Sequence, residues 1–99
     1  MTEDRVSPAV RIYTKRWCGF CWSAKRLFAN LGIPFEEIPV DRDPKLRWEV
    51  STRAGNWPTV PMIFIGDKFV GGSTEAAALH RKGRLLSLCR PDAAPESQN

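Results

Sequence analysis

The sequence lacks long hydrophobic runs. Its longest unbroken apolar stretches are four residues, such as Met62 to Ile65, against about 20 needed to cross a bilayer. Cysteine is scarce: Cys18, Cys21 and Cys89 make three. An odd, low count excludes a secreted scaffold built on disulfides. Histidine is scarcer, with His80 alone. No five like charges run together, and no aromatic-rich RNA motif occurs. The formal charge of +4, from fifteen Lys and Arg against eleven Asp and Glu, therefore reads as a mild excess, with no nucleic-acid partner. The start, Met1-Thr2-Glu3-Asp4, has no basic stretch followed by an apolar run. The expected location is the cytoplasm.

What is present suits one small globular domain. Ninety-nine residues leave no room for two cores, and 42% hydrophobic with 26% charged residues is an ordinary balance. Residues 1–8 are polar and read as a flexible N-terminus; 9–88 form the domain; 89–99, rich in Pro, Ala and Ser, read as a disordered tail. Val10 and Ile12 alternate with Arg11 in a strand over Ala9–Tyr13. Cys21, Ala24, Leu27, Phe28 and Leu31 recur at helical steps and predict a helix that Gly32 ends and Pro34 keeps from resuming. Phe35–Val40 is a second strand. Asp43 caps a helix with Pro44 in its first turn, and Gly55 closes it. Met62–Ile65 and Lys68–Val70 are strands joined through Gly66-Asp67, a hairpin turn with Gly first. Ser73 caps a last helix to about Lys82, and Leu85, Leu86 and Leu88 suggest a short terminal turn. The order is β-α-β-α-β-β-α. Strands joined through a helix should run parallel, giving an α/β fold: a four-stranded mixed sheet with flanking helices.

Cys18-Gly19-Phe20-Cys21 is the chemical signal. Two cysteines at this spacing are either a redox dithiol or half of a zinc site. Zinc needs four ligands, and His80 and Cys89 belong to no second pair. The pair lies after a strand and at a helix start, where unpaired N–H groups favour an anion. Lys15 and Arg16 add positive charge. Cys18 is the candidate nucleophile, since the thiolate is the attacking species. Cys21, one turn inward on the apolar stripe, is the candidate resolving thiol.

Four segments in this order resemble the glutaredoxins, within the thioredoxin fold: Tyr13-Thr14-Lys15, Cys18-Gly19-Phe20-Cys21, Thr59-Val60-Pro61 and Val70-Gly71-Gly72-Ser73. The resemblance covers about residues 9 to 88. Asn56-Trp57-Pro58-Thr59 and Asp67-Lys68-Phe69-Val70-Gly71-Gly72 look like the monothiol branch, whose motif is Cys-Gly-Phe-Ser. Here the fourth position is Cys21, and only Arg16 and Trp17 separate Lys15 from Cys18, as in the dithiol branch.

The resemblance implies a glutathione-dependent thiol–disulfide oxidoreductase acting on glutathionylated or disulfide-bonded client proteins. It places the glutathione site at Lys15, Phe20, Arg53, Thr59, Val60, Pro61, Gly72, Ser73 and Thr74. Lys15 and Arg53 would face the glycine carboxylate. Val60, ahead of a cis Pro61, would offer backbone hydrogen bonds. The helix start at Ser73-Thr74 would offer N–H groups to the γ-glutamyl carboxylate. The rival reading is a carrier with a [2Fe–2S] cluster held between two subunits by Cys18 of each and two glutathiones. A monomer is expected for the enzyme and a dimer for the carrier. Trp57 reads first as a packed loop aromatic. Trp22 and Trp48 have no assigned role, although one could mark a partner face. Lys25 and Arg26 read as a solvated helix face that could steer acidic substrates. Cys89 reads as an exposed bystander open to oxidation.

Overall fold

In a computed structural model, which describes residues 9–89, the chain folds as strand β1 (Val10–Thr14), helix α1 (Gly19–Asn30), strand β2 (Phe35–Pro39), helix α2 (Pro44–Arg53), strands β3 (Met62–Ile65) and β4 (Lys68–Gly71), and helices α3 (Ser73–Arg81) and α4 (Leu85–Cys89). The expectations for residues 1–8 and 90–99 lie outside the described residues. The sheet order is β2-β1-β3-β4. β1 runs parallel to β2, with Val10 opposite Phe35, and antiparallel to β3, with Val10 opposite Ile65. β3 and β4 form the hairpin, pairing Ile65 with Lys68 across Gly66-Asp67.

The period of two in the strands divides the core. Val10, Ile12, Ile63 and Ile65 meet Ala24 and Phe28 of α1, Ala76 of α3 and Leu85 of α4 on one face. Tyr13, Met62 and Phe64 meet Cys21, Val40, Val50 and Ala54 on the other. The four apolar residues of β3 are thus all buried because each face of the sheet is covered. No helix is long and apolar enough to cross a membrane among the described residues.

Local signals act as the residue types require. Gly32 takes a positive φ of 71° just after α1, where a side chain would be strained. The Asp43 carboxylate accepts from the Leu46 N–H at 3.1 Å, with Pro44 at the first position of α2. Several boundaries differ from the sequence reading; β1 starts at Val10 and β4 runs on to Gly71. β1 runs on to Thr14, whose hydroxyl donates to Glu37 at 2.8 Å. Val40 leaves β2, although it stays buried and its N–H donates to the Thr14 carbonyl at 2.8 Å. Gly72, not Ser73, is the N-cap of α3, and the Glu75 carboxylate accepts from its N–H at 2.8 Å. Cys89 is likewise no exposed bystander. It ends α4, half-buried against the core beside Leu88, because Leu85 is fully buried and anchors that helix. Burial pushes its thiol up to about 11, which slows the oxidation expected of an exposed thiol.

Phe28 is fully buried where α1 meets the sheet. Phe28→Ala should cost about 3–5 kcal/mol. Urea unfolding followed by far-UV circular dichroism should show that loss as a lower midpoint with the slope unchanged.

Candidate functional site

Cys18 is the N-cap of α1. Its backbone is extended (φ −120°, ψ 106°), and its sulfur accepts from the Cys21 N–H at 3.1 Å. The same sulfur lies 3.9 Å from the Val60 carbonyl, as a donor to it when protonated. Val60–Pro61 is a cis peptide bond, as the resemblance implied. A helix start therefore meets the entry to β3, and the Cys18 sulfur lies between them. Cys18 is half-buried, so the sulfur is reachable from solvent.

Cys21 has the opposite environment. It is 2% exposed among Tyr13, Met62 and Val60. Burial first, then the hydrogen bond and charge of Cys18, push its thiol up to about 12, against the opposing pull of the Lys15 backbone and Lys25 ammonium. At neutral pH, Cys21 is a protonated thiol on the core side of the helix.

A cleft of about 510 Å³ opens beside Cys18. The sequence-predicted residues Lys15, Cys18, Phe20, Thr59, Val60, Pro61, Gly72, Ser73 and Thr74 all line it. Phe20 forms an exposed apolar rim, 67% accessible. Lys15 is exposed at the mouth. Ser73 and Thr74 begin α3, where no residue four back inside the helix accepts from their N–H groups. The Gly72 N–H is already taken by Glu75. Gly71 makes that approach possible: its φ is +129°, and a Cβ there would lie 2.6 Å from Glu75 Cβ and Cγ.

Arg53 is the exception. It does not line the cleft, and its guanidinium lies over the Phe64 ring, 5.5 Å from the centroid. Arg47 lines the cleft instead, with Nη2 3.5 Å from the Pro58 carbonyl. The two arginines are six residues apart on α2, over one and a half turns, so they face different sides. Sequence reasoning missed Arg47, and also the cleft-lining roles of Trp17 and Glu75. Trp57 is the packed loop aromatic first read for it, and a cleft residue as well. It packs edge-on to Phe69, with centroids 5.1 Å apart, and lines the cleft. Among the described residues, its buried Nε1–H has no hydrogen-bond acceptor. Trp17 is 97% exposed at φ 56°, at the corner just before Cys18. Its residue type gave no signal of that backbone conformation.

A metal centre within one chain does not fit. Among the described residues no group of three or more His, Cys, Asp or Glu could hold an ion. Iron–sulfur clusters of this type take four thiolate ligands. With Cys21 in the core, this chain offers Cys18 alone at the site, so a cluster would need thiolates from outside it.

Comparison with known proteins agrees with this geometry. The family model described as Glutaredoxin matches residues 10–70, well over half of the chain. The chain is 46% identical over 81 residues to a glutaredoxin of Pseudomonas aeruginosa, covering 82% of this chain and 95% of that one. It is 41% identical over 81 residues to glutaredoxin 3 of Escherichia coli, covering 82% and 96%. Among solved structures, a buckwheat glutaredoxin–glutathione complex superposes with a TM-score of 0.79 at 29% identity, over 85% of this chain and 78% of that one. The solution structure of a Brucella melitensis glutaredoxin gives 0.72 at 44% identity, over 81% and 86%.

The contrast between the two thiols predicts their reactivity. With iodoacetamide at pH 8, peptide mapping should place the first label on Cys18. Cys21 should stay unlabelled in the folded protein, and its rate should climb about tenfold per pH unit toward its high pKa.

Proposed function

This chain belongs to the glutaredoxin family, and on that premise we propose that it is a glutathione-dependent thiol–disulfide oxidoreductase. One observation carries the reading. A reachable sulfur at a helix N-terminus opens on a cleft, while its partner thiol lies protonated one turn inward. The buckwheat neighbour, solved with glutathione, supports the choice of thiol.

Glutathione carries two carboxylates and an extended backbone. The cleft offers matching chemistry at both ends. Lys15 and Arg47 supply cations for the glycine carboxylate, with Arg47 replacing the expected Arg53. The Ser73 and Thr74 N–H groups at the start of α3 receive the γ-glutamyl carboxylate. The Val60 backbone holds the cysteinyl part, with its sulfur toward Cys18. Phe20 and Thr59 border the cleft.

The Cys18 thiolate attacks the glutathione sulfur of a mixed disulfide. A new S–S bond joins Cys18 to glutathione, and the substrate leaves as a thiolate that takes a proton from water. A second glutathione thiolate attacks the glutathione sulfur on Cys18, releasing oxidised glutathione and the Cys18 thiolate. Cys21 is not required for this cycle. It acts on protein disulfides: once Cys18 holds the substrate in a mixed disulfide, Cys21 loses its proton to water and attacks the Cys18 sulfur. The reduced substrate leaves, and a Cys18–Cys21 disulfide remains for two glutathiones to reduce. No step uses a metal.

The test is steady-state reduction of a small glutathione mixed disulfide coupled to glutathione reductase. The wild type should turn over. Cys18→Ser should lose at least about a thousandfold, since the nucleophile is gone. Cys21→Ser should stay within about threefold on this substrate and lose the reduction of protein disulfides. A folded, reduced wild type with no turnover would overturn the proposal.

A further inference from the structure

The glutathione cleft leaves much of the chemistry around the cysteines unused. A second groove, of about 470 Å³, opens on the other side of Cys18, with Cys21, Trp17, Trp22 and Lys25 in its lining. A third, of about 460 Å³, shares Trp22 and Lys25 and continues past Arg26 to Phe35. Together they make one track between α1 and β2, which pairs only with β1 at the edge of the sheet. The track begins at the reacting sulfurs.

Its surface has the character of a binding face. Trp22 is 58% exposed, and the Arg26 guanidinium lies 5.0 Å from its ring centroid. An exposed Trp stacked under Arg presents an apolar plane and a cation together, and both residue types are enriched at interfaces. Lys25 binds Glu37 at 3.0 Å, and Arg16 binds Asp41 at 2.9 Å. Burial draws the Glu37 carboxyl upward, but the Thr14 hydroxyl and Lys25 outweigh it and hold it below its ordinary value. Glu37 is therefore an anion that Lys25 already neutralises. Among the described residues, Lys15 and Arg26 have no carboxylate partner. The track carries uncompensated positive charge at its start, at Lys15, and again at Arg26.

We propose that an extended acidic segment of a disulfide-bonded protein substrate docks along this track, with an apolar side chain on Trp22 and carboxylates on Arg26. The proposal rests on Cys18 being the nucleophile, and it names the class of protein that the same sulfur serves. Eight residues separate Cys18 from Arg26 on the helix side, a span of about 12 Å. An extended chain covers that in about four residues. The carboxylates therefore sit three or four residues from the substrate cysteine. Cys21 lines this track and not the glutathione cleft.

Two disulfide-bonded peptides test this. They are identical except for Glu or Lys at the positions three and four residues from the reacting cysteine, and both carry a Phe between. Reduction is followed with glutathione and glutathione reductase for the wild type, Arg26→Glu and Trp22→Ser, beside a small glutathione mixed disulfide. The wild type should prefer the acidic peptide about tenfold in kcat/KM, and 0.5 M salt should erase the preference. Arg26→Glu should reverse it. Trp22→Ser should slow both peptides about fivefold. All three proteins should reduce the small substrate alike. Equal rates on both peptides, or a preference that Arg26→Glu leaves intact, would overturn the docking track while small-substrate turnover kept the enzyme reading. Loss of the small-substrate reaction in the wild type would instead remove the enzyme reading and the docking track with it.

Discussion

The N–H of Cys21 donates to the Cys18 sulfur at 3.1 Å, and the rest of the site is arranged around that bond. It makes a cysteine do the work usually given to Ser, Thr, Asp or Asn at a helix start. The sulfur is thereby fixed at the start of the helix, beside its unpaired N–H groups. The bond also ties the two thiols to one turn. With Cys18 at the cap, Cys21 must fall three residues later on the buried face. The spacing of the motif thus dictates one reachable sulfur and one buried one.

The sheet then sets what surrounds that sulfur. β1 delivers the chain to the helix start, and β3 runs antiparallel beside it, so the segment entering β3 arrives at the same end. That brings Val60 to 3.9 Å from the Cys18 sulfur. β4 follows β3 directly and leads into α3, whose first N–H groups close the far end of the cleft. Three chain segments distant in sequence converge because adjacent strands bring their ends together. Burial of β3 on both faces keeps that convergence rigid, since its four residues meet covered cores on either side.

Much of this was legible in the residues. The stripe from Cys21 to Leu31, the Asp43-Pro44 start and the Gly66-Asp67 turn each follow from local stereochemistry, and each appears as expected. Eight of the residues that the resemblance implied line one cleft, because they belong to short motifs with fixed backbone geometry. Arg53, the one it misplaced, lies outside such motifs. Arg53 and Arg47 are equally plausible cations in sequence, and only the rotation of α2 against the sheet decides that Arg47 faces the cleft. Ser73 looked like a cap because its hydroxyl suits one. Gly72 takes the position instead, since the Glu75 side chain reaches back to its N–H. Cys89 looked exposed because the tail beyond it is rich in Pro, Ala and Ser. Leu85 and Leu88, four and one residues earlier, draw it onto the core. The Trp22–Arg26 stack joins residues four apart on one helix, a spacing visible in the sequence. That the stack borders a groove leading to the cysteines depends on the edge position of β2.

The central claim is that Cys18, and not Cys21, forms the covalent bond to glutathione. Mass spectrometry of the folded wild type and of Cys21→Ser, each treated with oxidised glutathione, tests it directly. The account predicts one glutathionyl group on Cys21→Ser, mapped by peptide fragmentation to Cys18. In the wild type, the same adduct should give way to a Cys18–Cys21 disulfide. A glutathionyl group found on Cys21 in the native wild type, with Cys18 free, would contradict the account.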